Sequence, residues 1–333
     1  MSFRPAILRS VSSALYHGRL IGPIARSVGY ALPGPRLPIL TLHRVNDDND
    51  PFMPSLPTAV FAGRMAHIAR HYTALTVEDL AAGLRDGTVP RNALAITFDD
   101  GYRDNLTHAA PILRRLGLPA TIFVVTGLID SPHALWFDRL ALAFKAATAR
   151  RVELTDGRVF PLTTVTQRLA ALDAARAHLK QVPDDERSPS LEHLVQALKP
   201  TPERPKRLML SWDEVTALHG LGFAIGAHTI THPIMSRLAP SQVRSEVHGS
   251  KAAIEKVLGS PVQAFAYPNG QPKDYNEAVT NVVRQAGFTC AVTTKRGLND
   301  ADTPVLELRR GGPWEQHVPT YALKLAYYHA TGA

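Results

Sequence analysis

The chain has 333 residues, 45% of them hydrophobic and 20% charged, which is enough apolar material for a sizeable core and more than the ~100–200 residues of one ordinary domain; a disordered chain, a small scaffold and a single zinc finger are excluded. Its one cysteine, Cys290, cannot make an intrachain disulfide, and no apolar run approaches the ~20 residues that a membrane-spanning helix needs. The formal net charge of +8 is concentrated at one end, where Arg4, Arg9, Arg19, Arg26, Arg36 and Arg44 stand within residues 1–45 without a Lys, Asp or Glu among them, and no interleaving of basic and aromatic residues suggests a nucleic-acid partner.

Phe3, Ile7, Val11 and Leu15 recur every fourth residue, with Arg4 and Arg9 off that line. This predicts a helix packed on the body of the protein or, as the alternative, a basic amphipathic helix lying on an anionic membrane. Arg or His interrupts every apolar stretch near the N-terminus, as in Ser10–His17, so a secretory signal with an apolar core of ~7–15 residues is not expected. The expected location is the cytoplasm, with peripheral contact at the inner membrane face through this segment as the alternative. Residues 1–36 are set apart as a basic N-terminal segment, 37–320 as the main body and 321–333 as a C-terminal tail.

Within the body, strands and helices alternate, which predicts an α/β architecture with mostly parallel strands. Ile39–Leu42 reads as a buried strand, and Phe61, Met65, Ile68 and Tyr72 keep helical spacing. Thr76 with Asp79 reads as a helix start before Leu80 and Leu84, and Ala93–Phe98 as the second strand. Ile112, Leu113 and Leu116 give a helix closed by Gly117, and Ala120–Val125 is a β-branched run. From about 131 to 207 helix formers dominate, with a hairpin expected at Val152–Val159 around Asp156-Gly157 and a Pro- and charge-rich stretch from Pro183 to Pro205. This is read as a mainly helical insertion. The core resumes with a capping box at Ser211–Glu214, a strand at Phe223–Ala227, a helix from Val243 to Leu258 ended by Gly259, and a strand at Gln263–Ala266. A helix at Asn276–Gln285 and strands at Phe288–Thr293 and Val305–Leu308 complete the prediction.

Two segments carry chemistry. Thr97-Phe-Asp-Asp-Gly-Tyr102 puts two adjacent carboxylates at the end of an apolar strand. Like charges raise each other's cost of ionisation, so the pair suggests a cation nearby. Ala227-His-Thr-Ile-Thr-His-Pro233 puts His228 and His232 four apart, again just past an apolar strand. The zinc-protease motif is excluded, because it requires Glu directly after the first His and position 229 is Thr. A third ligand and a base must come from elsewhere, and the Asp pair is the available donor. One carboxylate with two histidines leaves open positions on a metal, as a catalytic site requires; zinc suits that donor set best.

Thr97-Phe-Asp-Asp-Gly, His228-Thr-Ile-Thr-His232 and Phe265-Ala-Tyr-Pro-Asn-Gly270, in this order and separation, resemble the successive motifs of the polysaccharide deacetylases, the NodB-homology domain of carbohydrate esterase family 4. The likeness covers about residues 37–130 and 208–310. It implies a deformed (β/α) barrel of about seven strands, here with the helical insertion, and metal-dependent removal of N-acetyl groups from an aminosugar-containing polysaccharide or lipid-linked glycan. It also implies Asp99 as general base, Asp100, His228 and His232 as metal ligands, and the turn holding Tyr267 and Asn269 near the oxyanion. Trp212 or Tyr102 is a candidate for stacking on a sugar ring.

The chain departs from the family pattern twice. Where the third motif usually begins with an Arg that pairs with the catalytic Asp, Ala266 stands here. Arg309 and Arg310 follow the last expected strand, which in a closed barrel returns beside the first; only one of two consecutive side chains can face inward, and Arg309 is favoured. The late Leu-x-His segment that supplies the general acid is also missing. A subgroup acting on biofilm polysaccharide, with a circularly permuted barrel, resembles the chain better: there a His in an early Tyr-His-x-Val segment takes that place. Leu40-Thr-Leu-His-Arg-Val45 is similar, which makes His43, in its cationic form, the candidate acid. The missing Arg leaves one alternative from another class, a carbohydrate-binding pseudoenzyme on the same barrel.

Overall fold

The structure is a computed structural model and describes residues 3–23, 34–202 and 207–332. Arg26 of the basic segment, Pro205 of the Pro-rich stretch and the side chains of Phe3 and Arg4 lie outside the described residues.

After helix α1 (Phe3–His17), the body opens with β1 (Ile39–Leu42), α2 (Thr58–His71), β2 (Thr73–Leu75), α3 (Val77–Asp86) and β3 (Ala93–Phe98). A π-helical turn at Asn105–Ala109 leads into α4 (Ala110–Arg115) and then β4 (Thr121–Val124). Next come α5 (Trp136–Lys145), the hairpin β5 (Arg151–Glu153) and β6 (Val159–Pro161), α6 (Val165–Leu179) and α7 (Asp184–Leu198). The chain continues through α8 (Trp212–Gly220), β7 (Ala224–Ala227), α9 (Pro240–Leu258), β8 (Ala264–Ala266), α10 (Glu277–Gln285), β9 (Cys290–Val292) and α11 (Val318–Thr331).

Seven strands form one parallel sheet in the order β1-β3-β4-β7-β8-β9, with β2 beside the first half of β3 and β1 beside its second half. All six residues of β3 and all four of β4 are buried, as expected of a parallel sheet covered on both faces. The sheet curls into a half-barrel. Phe61, Phe98, Leu113 and Ile122 fill the layer between sheet and helices, and Ala95, Phe123, Ala264 and Val292 fill the inside of the curl. Local chemistry fixes the helix ends: Thr76, Ser211 and Asn276 each accept a hydrogen bond from the third residue of α3, α8 and α10, and Gly259 closes α9 in a left-handed conformation.

Between β9 and β1 no regular strand intervenes among the described residues. The expected strand at Val305–Leu308 is instead a 3-10 turn at Val305–Glu307, after which the chain bridges the gap. Leu308 donates to Ala291 and accepts from Thr293, and Gly311 donates to Ile39.

Residues 136–198, joined by Phe52 and Met53, build a satellite core with Leu140, Phe144, Leu172, Leu191 and Leu194 at its centre. At the other end, α1 packs on α11, and Ser12 and Thr320 share a buried hydrogen bond of 3.0 Å. The inward line of α1 is not the expected one: Ile7 and Val11 are 58% and 49% exposed, while Leu15 and Tyr16 pack toward Ile21, Ala322 and Ala326. The stretch read as a C-terminal tail belongs to α11, which buries Tyr321, Leu325 and Tyr328. No helix among the described residues is long and apolar enough to cross a membrane.

Because the sheet strands run parallel, β1, β3, β7 and β8 deliver their C-terminal ends to one rim. There His43, Asp99-Asp100, His228 and Asn269 emerge.

Candidate active site

β3 ends in a sharp reversal. Asp100 and Gly101 both take positive φ, 75° and 77°, and a Cβ on residue 101 would lie 3.2 Å from the Val124 side chain. The glycine thus lets the chain turn hard against β4 while Asp99 and Asp100 point into the rim. The histidine loop after β7 is equally constrained, with Thr229 at φ 67° and His232 at φ 60°. A β-branched residue there is unusual. It is held by its own hydrogen bonds: Thr229 Oγ1 accepts from the His232 N–H (3.0 Å), and its carbonyl accepts from Thr126 N–H (3.1 Å). Glu246 of α9 clamps the loop's outer side, accepting from the N–H groups of Ile230 and Thr231 at 2.7 and 2.9 Å. With Asn269, four of the eight positive-φ non-glycine residues among those described lie in these loops, so backbone strain is concentrated where the polar side chains converge.

Asp100, His228 and His232 come together. One potential ligand atom from each lies within 4.8 Å of the others, and all three side chains are buried. The Nε2 atoms of His228 and His232 stand 3.6 and 3.5 Å from Asp100 Oδ1. His228 Nδ1 lies 2.7 Å from the Ala266 carbonyl; it must donate there, which leaves the Nε2 lone pair facing Asp100. Burial lowers the pKa of both histidines, His228 to about 4. Burial, and then the charges of Asp99 and Asp138, push Asp100 far up. Two neutral imidazoles and a carboxyl that resists ionising without a cation are a donor set that fits a divalent metal, and zinc in particular.

Beside the triad, Asp99 is paired, but not with Arg309. Arg310 Nη1 and Nη2 each reach the Asp99 carboxylate at 2.7 Å, and Arg310 Nε donates to the Thr293 carbonyl. The Arg309 side chain is exposed and lies against Gly297, so the expected assignment to Arg309 is corrected to Arg310. Burial alone would raise the pKa of Asp99; the charge and the two hydrogen bonds of Arg310 overcome it and hold the carboxyl far below its ordinary value. His43 lines the same groove. The residue is exposed to the groove, and desolvation by the surrounding protein lowers its pKa against a smaller opposing pull from Asp99, which disfavours the cationic form that an acid role needs.

Tyr267 does not face the site. Its N–H donates to Val292, its hydroxyl to the Leu306 carbonyl, and its ring stacks on Tyr275 at 4.4 Å; of that expected pair only Asn269 lines the groove. Tyr102 lines the groove but is buried, with its hydroxyl donating to Asp138 at 2.9 Å and the Arg44 guanidinium over its ring at 5.0 Å, which leaves little ring face for stacking on a sugar. Trp212 packs against the main core instead.

The groove over the triad has a volume of about 520 Å³. Its far wall comes from the inserted helices: Trp136, Phe137 and Asp138 from α5, Arg176 from α6 and Lys180 just past its end. The sequence reading missed several positioning residues. Asp104 accepts from Arg44 Nε, the Val45 N–H and Asn46 Nδ2, and Asn105 Nδ2 donates to the His43 carbonyl, together fixing the loop after β1. Glu246 and Asp138 carry no motif that could have marked them. Arg310 did have a signal: it stands two residues after Leu308, which is buried inside the curl, so an extended stretch puts the arginine inward with it.

A sequence profile of the family described as polysaccharide deacetylase matches residues 86–291. The protein YxkH of Bacillus subtilis (strain 168), whose name places it among the polysaccharide deacetylases, is 24% identical over 277 residues, covering 83% of this chain and 70% of its own. Among solved structures, the Streptococcus pyogenes deacetylase PplD, in complex with acetate, superposes with a TM-score of 0.56 at 19% identity, over 84% of this chain and 92% of that one. IcaB from Ammonifex degensii gives a TM-score of 0.56 at 17% identity, over 87% and 98% of the two chains. The BpsB deacetylase domain from Bordetella bronchiseptica gives 0.53 at 16%, over 84% and 96%. At these identities the structural likeness is one of fold.

Proposed function

The chain belongs to the polysaccharide deacetylase family, and from that premise we propose that it is a divalent-metal-dependent hydrolase that removes N-acetyl groups from an aminosugar-containing glycan. The observation that carries this reading is the convergence of Asp100, His228 and His232 at the floor of a groove, with an ionised Asp99 alongside. Asp100, His228 and His232 would hold the metal, zinc by preference. Such an ion lowers the pKa of water toward ~7 and polarises a carbonyl.

Amide hydrolysis needs a base for the attacking water and a proton for the departing amine. Asp99, clamped by Arg310, is ionised throughout the physiological range and is the base. The same clamp makes it a weak one, so its certainty of ionisation is gained at the expense of basicity. The lowered pKa of His43 favours its neutral form, so it must accept a proton before it can deliver one to the amine nitrogen. The pseudoenzyme reading rested on a missing cation for Asp99, and Arg310 supplies that cation. Acetate release from N-acetylglucosamine oligomers tests the proposal. It is expected to stop with a chelator, to return with Zn²⁺ or Co²⁺, and to be lost in His228→Ala together with bound metal. Full activity in a metal-free preparation overturns it.

A further inference from the structure

The far wall of the groove carries two cations beside the buried Asp138. Arg176 and Lys180 lie one helical turn apart, at and just past the end of α6, so they share a face, and both line the groove opposite the metal-binding triad. Like charges at that spacing repel. The helix dipole favours a cation at this terminus, yet a side chain turned to solvent would serve the dipole equally well. Neither charge is held in a close ion pair, although Asp274 acts on Lys180 and Asp138 on Arg176 at longer range. Arg176 approaches Asp173, itself 80% exposed, no closer than 3.9 Å, its Nη2 holds the Phe52 carbonyl at 3.2 Å, and its Nε is buried with no hydrogen-bond partner. Lys180 makes no ion pair or side-chain hydrogen bond among the described residues. Beside them, Trp136 and Phe137 supply an aromatic wall, with the Phe137 ring edge-on to His232 at 5.7 Å.

From this arrangement we infer that the substrate is an acidic glycan, one that carries a carboxylate or phosphate on or next to the N-acetylated sugar, and that Arg176 and Lys180 are the specificity-determining residues that bind that group. A planar or tetrahedral oxyanion would take Arg176 Nη1 and the Lys180 ammonium as charge-assisted donors. The aromatic wall would face the sugar ring. This inference rests on the proposed glycan deacetylase activity.

The test measures binding by titration calorimetry at low salt with matched probes. A hyaluronan tetrasaccharide against tetra-N-acetylchitotetraose tests a carboxylate, and N-acetylglucosamine 1-phosphate against N-acetylglucosamine isolates a phosphate. The member of one pair that carries the acidic group is expected to bind about 10-fold tighter or more than its neutral partner, as one or two charge-assisted contacts would give. That preference should shrink in 0.5 M salt. Lys180→Met is expected to remove most of the preference while leaving neutral binding within about twofold; the variant leaves the Arg176–Phe52 contact intact, so a shifted loop cannot explain the loss. Equal binding of acidic and neutral probes by the wild type, or equal weakening of both by Lys180→Met, overturns the inference. Failure of the wild type to release acetate from any probe sinks the deacetylase reading instead, and the binding preference is scored separately.

Discussion

The pairing of Asp99 with Arg310 is the feature on which the catalytic reading depends most, and its strength can be measured. Both side chains are almost wholly buried, at 4% and 0% exposure, with two parallel contacts of 2.7 Å. Replacing Arg310 by Met removes the cation, keeps much of the apolar stem and leaves a carboxylate uncompensated. Breaking a buried pair in this way costs about 3–5 kcal/mol, which at ~2 °C per kcal/mol for a chain of this size is a fall in Tm of roughly 6–10 °C.

The sign with pH distinguishes this mechanism from simple loss of packing. In the wild type the pKa of Asp99 is held below that of the unfolded chain. The pair therefore adds stability above about pH 4, and that contribution fades as pH falls through the folded-state value. In Arg310→Met only burial acts, which raises the pKa, so the variant is penalised increasingly as pH rises past 4. The gap between wild type and variant should be widest at pH 7–8 and narrowest below pH 4. Thermal melts from pH 3.5 to 8 in EDTA measure it without a contribution from metal at Asp100. In acetate release, the acid limb of the pH profile should move upward in the variant. Arg310→Lys should recover only part, since an ammonium cannot make the two parallel bonds. Arg309→Met should lie within about 0.5 kcal/mol of wild type. A gap below about 1 kcal/mol, or one unchanged between pH 4 and 8, refutes the reasoning.

The contrast between Arg309 and Arg310 also shows where sequence reasoning stopped. Strands β1 and β3 have the expected bounds because an unbroken apolar run flanked by turn residues has few other uses in a parallel sheet. The helix starts at Thr76, Ser211 and Asn276 were legible because a cap is a contact between near neighbours in the chain. Strand β2 was missed because three residues are too few to show a period. Asp138 and Glu246 were missed for a different reason: their partners, Tyr102 and the His loop, lie 36 and 15 or 16 residues away, and nothing local marks a side chain whose job is defined by a distant loop. Tyr267 was placed at the oxyanion because it stands in a turn after a strand. In the structure the turn begins one residue later, and the ring at 267 completes the core beneath it.

Two further outcomes follow from the rim. Gly101→Ala puts a side chain at φ 77°, with its Cβ 3.2–3.3 Å from Val124; stability should fall by about 1–2 kcal/mol or more in chemical denaturation, with metal affinity falling too, and an unchanged affinity would show that Asp100 does not depend on this turn. Asp138 has a pKa raised by burial to about 6, so its ionised form burdens the folded state: the penalty is absent below about pH 4, grows between pH 4 and 6, and is complete above, on the order of 2–3 kcal/mol. Asparagine still offers an acceptor to the Tyr102 hydroxyl and carries no charge to desolvate. Asp138→Asn should therefore be the more stable protein at pH 8 in EDTA and match the wild type at pH 4, whereas a variant less stable at pH 8 would mean that the carboxylate is compensated by a partner other than Tyr102.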